Sequence, residues 1–173
     1  LITTLLLNDL KNNQFSIIRF YERRARRILP ALYLVVLSCI PFAFILMTPS
    51  QLRDFVESII AISFFTSNIL FWRETGYFAL ASEEKPLLHT WSLSIEEQFY
   101  LVFPIFLFLL WRSRRNIIFN TIILFILISL ILCEWGWRNE PTGNFYLTPT
   151  RIWELLIGSI AAYISFKHKI KPN

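Results

Sequence analysis

Apolar residues in this chain come in long runs separated by short polar punctuation. Five runs approach the length of about twenty residues that a helix needs to cross a bilayer: residues 28–47, 52–72, 95–111, 116–133 and 152–166. Residues 1–7 are apolar but too short to cross alone. With Leu1 in place of Met and no leader-like region, they read as the end of a helix in an internal piece of a longer protein. Residues 15–27 mix aromatic and basic side chains, as in a helix lying against headgroups, with Arg23, Arg26 and Arg27 on one face and Glu22 placed to pair with Arg26. Pro30 opens the first span and Pro41 is expected to kink it. Thr48-Pro49-Ser50 is a turn that can cap the next helix, and Pro104 interrupts the third span. Residues 73–84 and 134–150 read as loops.

Composition agrees with this pattern. Of 173 residues, 55% are hydrophobic and only 17% charged, and the mean hydropathy is +0.51, too apolar for a soluble domain. The expected fold is all-α, a polytopic transmembrane helix bundle within one domain over residues 1–173. The formal charge of +5 sits in short clusters beside the apolar runs, which points to cytoplasmic anchoring and not to nucleic acid. Cys39 and Cys133 lie inside apolar runs without the spacing of a disulfide framework or a thiolate metal site, and no metal is expected.

The basic clusters expose a conflict. If the first three spans all cross, residues 23–27 and 112–115 fall on opposite sides, although both look cytoplasmic. Either a segment near residues 86–94 enters and returns as broken helix, or the second cluster is an exception. The basic run at residues 167–171, which contains His168, agrees with residues 112–115.

Residues 86–100, PLLHTWSLSIEEQFY, place ionisable groups directly before a spanning helix. Ser94-Ile95-Glu96-Glu97 matches a capping box, which by itself accounts for Glu97. If the helix instead begins near Pro86, then His89, Leu93, Glu96 and Tyr100 share one face, and an imidazole and a carboxylate two turns apart form the pairing that moves a proton off a hydroxyl. A satisfied structural network is the competing reading of each residue. For the cluster in lipid, where each unpaired ionisable group costs a few kcal/mol, function is favoured. Arg151 and Glu154 have the spacing of an intrahelical pair, and Glu57 and Asn68, polar groups within an apolar run, read as interhelical contacts before catalysts.

The central stretch resembles a signature of the integral-membrane acyltransferase family three, which O-acylates cell-surface polysaccharides. Further blocks agree in the same order: FYERRARRILPALY at residues 20–33, MTPSQL at 47–52, SNILFW at 67–72, GYF at 76–78 and TPTRIWELLIG at 148–158. The resemblance covers nearly the whole chain, and the wording is similar to the branch that often carries a periplasmic SGNH-type domain after the membrane part. Family members begin with a helix holding an Arg and a His thought to be central to acyl transfer. Residue 1 aligns after it, so the piece by itself is expected to be inactive.

The resemblance implies transfer of an acyl group, usually acetyl, from cytoplasmic acyl-CoA (acetyl-CoA) to a hydroxyl of lipopolysaccharide O-antigen, peptidoglycan or exopolysaccharide. It also implies a bacterial inner-membrane location among membrane lipid. On that reading Arg23, Arg24, Arg26 and Arg27 bind the phosphates of the donor, as Arg24 with Arg27 or Arg23 with Arg26, beside their anchoring role. His89 and Glu96 act on the acceptor or support the missing His. Trp91 offers a sugar-stacking face or is an interfacial Trp, and Arg151 and Glu154 line the substrate path or pair structurally. A transporter or flippase and a non-catalytic scaffold are the alternatives.

Overall fold

The computed structural model describes residues 2–75, 85–111 and 115–170, without the side chains of 115, 116 and 168–170. The GYF block at 76–78, the cluster at 112–115 and the basic tail after Lys167 therefore lie outside the residues or side chains described. Eight helices make up the described chain: α1 (Ile2–Lys11), α2 (Ile17–Leu46), α3 (Pro49–Ser63), α4 (Ser67–Arg73), α5 (Thr90–Trp111), α6 (Arg115–Asn139), α7 (Pro141–Tyr146) and α8 (Thr148–Ile170). The fold is all-α. Among the described residues three helices are long and apolar enough to cross a bilayer, namely Ile17–Leu46, Thr90–Trp111 and Ile117–Asn139, and the chain is a multi-pass membrane protein.

The helices divide into two compact units, residues 18–97 and residues 1–17 with 98–173. In the first unit the arginine-rich segment and the following span form one helix, not an interfacial helix joined to a separate span. α2 has 30 residues, and both Pro30 and Pro41 lie inside it, on its exposed side. At 1.5 Å per residue α2 is about 45 Å long, more than the roughly 30 Å of hydrocarbon, so one end must project beyond it. Leu32, Val36 and Ala43 form its buried stripe, against Phe55 and Ile62 of α3 and against Leu87. Leu34, Leu37, Phe42, Phe44, Ile45 and Leu46 are exposed, as lipid-facing positions are.

Residues 52–72 read as one span in the sequence but form two helices. Thr48 starts α3 with a capping box, its hydroxyl accepting from the Gln51 N–H while the Gln51 side chain accepts from the Thr48 N–H. The helix stops after 15 residues, about 22 Å, because Phe65 adopts a left-handed conformation at φ 54. The Thr66 N–H then reaches back to the Ala61 carbonyl at 2.8 Å and the Phe65 N–H to Ile62 at 3.0 Å, a Schellman closure built without glycine. α4 returns along α3, since Asp54 and Ser58 of α3 and Glu74 beyond α4 line one recess.

In the second unit α8 packs against α6, α1 and α7. The Ser129 hydroxyl donates to the Pro149 carbonyl at 2.7 Å and accepts from the Trp153 N–H at 3.2 Å, fastening the first turn of α8 to α6. Thr3 and Ser159 share a hydroxyl hydrogen bond of 3.0 Å between α1 and α8, and the Phe119 and Tyr163 rings meet at 6.1 Å. A Cβ on Gly136 would come within 2.9 Å of Asn144 Oδ1, so any other residue there would have to displace the Asn144 side chain where α7 meets α6.

A returning α3–α4 hairpin places both of its ends on one side of the membrane. Ser50→Cys and Thr75→Cys, each in a background with Cys39 and Cys133 replaced by Ala, should react with an impermeant maleimide from the same side of sealed vesicles. Labelling from opposite sides would mean that residues 49–75 cross.

Candidate functional site

The polar groups of the first unit lie along one line of contacts. On α5, Thr90, Ser94 and Glu97 share a face by their spacing of four and three, and on the α4 side Ser67, Phe71 and Glu74 do the same. At one end the Arg24 guanidinium of α2 grips Glu97 through Nη2 to Oε1 and through Nε to Oε2 at 3.4 Å, and both side chains are largely buried, at 16% and 10% exposure. In the middle, Ser67 and Ser94 share a hydrogen bond of 2.7 Å. The Thr90 hydroxyl donates to the Leu87 carbonyl at 2.7 Å and lies 3.2 Å from Ser67 Oγ. All three hydroxyls are buried, as is Asn68. Farther along, the Lys85 ammonium donates to Glu74 at 2.6 Å and lies 5.8 Å from the centre of the Phe71 ring.

The Ser94–Glu97 capping box does not form. α5 begins at Thr90, after a turn over residues 86–89, so Ser94 is inside the helix with its hydroxyl on Ser67, and Glu97 is half of an ion pair. His89 and Glu96 fall on the neighbouring face. Both are exposed, and neither side chain has a hydrogen-bonding partner among the described residues. Trp91 is half-buried. Of the arginines, Arg24 turns inward while Arg23, Arg26 and Arg27 are exposed, and Arg26 pairs with Glu22 at 2.7 Å as the spacing requires. Arg151 and Glu154 belong to the second unit and pair within α8 at 3.0 Å, with the guanidinium 5.5 Å from the centre of the Phe145 ring.

The residues that sequence reasoning passed over are Glu97, Ser67, Thr90, Glu74 and Lys85. The period was the available signal: Thr90, Ser94 and Glu97 fall one residue beyond His89, Leu93 and Glu96, so the helix phase alone separates the two faces.

A family model described as an acyltransferase domain, acyltransferase-3, matches residues 1–173. The chain belongs to the acyltransferase-3 family. An uncharacterized protein of Haemophilus influenzae is 34% identical over 99% of the chain and 73% of its own length. Peptidoglycan O-acetyltransferase OatA of Listeria monocytogenes is 32% identical over 99% of the chain, and O-acetyltransferase OatA of Staphylococcus aureus is 34% identical over 95%. The chain spans 28% of the length of each OatA protein, about a quarter. No solved structure matches it. In acyltransferase-3 terms, the block at residues 20–33 supplies Arg24 and the central signature supplies Ser94 and Glu97, so two of the stretches that carry the resemblance meet in one ion pair.

Ser94→Ala leaves the buried Ser67 hydroxyl one partner short and should lower stability by about 1–2 kcal/mol. The double change with Ser67→Ala should cost less than the sum of the two single changes, as measured by denaturation in mixed micelles.

Proposed function

We propose that the chain is part of a membrane O-acyltransferase that takes an acyl group, acetyl by analogy with the O-acetyltransferase relatives, from acyl-CoA on the cytosolic side of the bacterial inner membrane. The acceptor is a hydroxyl of a cell-surface polysaccharide, with peptidoglycan the first candidate because the Listeria relative is named for it. The observation that carries this reading is the line of ionisable and hydroxyl groups held among apolar helices, in a chain of this family. Such groups are costly in lipid and are retained where they handle a polar substrate.

The exposed Arg23, Arg26 and Arg27 suit the phosphates of the donor, which favour the forked geometry of guanidinium. Arg24 is engaged by Glu97 and is assigned to holding that cluster in place. His89 and Glu96 serve the acceptor hydroxyl, Glu96 as proton acceptor or as orienter of His89, and Trp91 offers its ring to the sugar. Arg151 and Glu154 use each other and are assigned to shaping the start of α8. An SGNH-type domain is a candidate companion in the complete protein.

Membranes holding the complete protein and supplied with radiolabelled acetyl-CoA should transfer label to surface glycan. Solute movement without label in glycan would instead support a transporter or flippase. Arg23→Gln with Arg27→Gln should raise the Kd for acetyl-CoA at least tenfold while membrane insertion is kept; unchanged affinity would remove the phosphate role. Glu96→Gln should lower kcat by about a hundredfold, in the range of general acid–base contributions, with donor affinity unaltered.

A further inference from the structure

The open end of the α3–α4 hairpin, where the Lys85–Glu74 pair ends the polar line, holds a recess to which no substrate is assigned above. Asp54, Ser58, Glu74 and Lys85 line it, over Phe55 and Leu87. Its enclosed part is about 20 Å³, room for one water or one hydroxyl, and the space between its walls grows to about 310 Å³ toward solvent. We propose that this recess is a subsite for a neutral, hydroxyl-rich substrate, seating one sugar hydroxyl in its depth while the ring lies across its mouth. The proposal rests on the acyltransferase reading for what the sugar is, an acceptor glycan, and on the recess alone for what binds.

The walls suit a group that both donates and accepts. The half-buried Asp54 carboxylate has no side-chain partner among the described residues, so it offers free lone pairs to a hydroxyl proton. Ser58 already donates to the Asp54 carbonyl at 2.9 Å and can only accept further. Lys85 spends one of its donors on Glu74 at 2.6 Å and keeps others for an incoming oxygen, and it is fixed by the Phe71 ring. Asp54, Glu74 and Lys85 sum to one negative charge, which disfavours phosphates and other anions. Among the described residues no group of three metal-ligating side chains is assembled. The apolar floor of Phe55 and Leu87 matches the C–H face of a sugar.

Position supports the same reading. Met47, on the rim, lies about 30 Å along α2 from Arg27, at 1.5 Å per residue, roughly the thickness of the hydrocarbon. The recess and the arginine cluster thus occupy opposite ends of one helix, as an enzyme drawing its two substrates from opposite faces of a membrane requires.

The test uses the complete protein in nanodiscs, with acetyl-CoA as donor and N-acetylglucosamine pentamer as probe. Asp54→Asn should raise the KM for the pentamer at least tenfold and leave the KM for acetyl-CoA unchanged. A pentamer KM equal to wild type in a variant of normal stability would overturn the subsite. Should Asp54→Asn fail to fold, the wild-type protein answers: carbodiimide modification of Asp54, read by mass spectrometry, should slow severalfold when the pentamer is present, and an unaltered rate would overturn the proposal. Protection without acyl transfer would leave the subsite standing and remove the acyltransferase reading; transfer without protection would do the reverse.

Discussion

Two opposite charges buried among apolar helices constrain everything else in the first unit. Arg24 and Glu97 are 73 positions apart, and neither could be left in that setting alone. An unpaired buried charge costs several kcal/mol, whereas a forked guanidinium–carboxylate contact returns most of that cost. The pair therefore acts less as a source of stability than as a requirement for register. The start of α2 must face the start of α5 with these side chains aligned, and slipping either helix by one residue would strand both ions.

Once that register is set, the remaining polar groups fall into line. Glu97 in contact with Arg24 turns Thr90 and Ser94 of the same face toward Ser67, and Ser67 begins the short helix that leads to Glu74 and Lys85. The hairpin is what makes this possible. A single helix over residues 52–72 would carry Ser67 onward past α5, whereas the reversal at Phe65 brings it back.

The apolar runs made the helical, membrane-spanning class legible, because length and hydropathy are properties of composition along the chain. Thr48 announced the start of α3 by its capping residues. The turn at residues 64–66 was not legible: Phe-Phe-Thr contains neither glycine nor proline, and its left-handed residue is tolerated only because tertiary packing around Phe65 outweighs local preference. The fusion of the arginine segment with α2 was hidden by Pro30, which would end a helix in water but is accommodated here on the exposed side. The candidate site was half legible. The stretch at residues 86–100 does contribute Thr90, Ser94 and Glu97 to the buried polar line, but its phase depended on a helix start four residues before Ser94, and only the partner on α2 separates the Glu96 face from the Glu97 face.

The pair itself can be measured by a double-mutant cycle on Arg24→Gln and Glu97→Gln, with stability read from denaturation in mixed micelles. The account predicts single losses of about 3 kcal/mol each and a double loss well below their sum, a coupling of about 2 kcal/mol, because each single change strands the other ion. Additive losses would contradict it, since they would mean that the two side chains do not meet and that the register of α2 on α5 is set by something else.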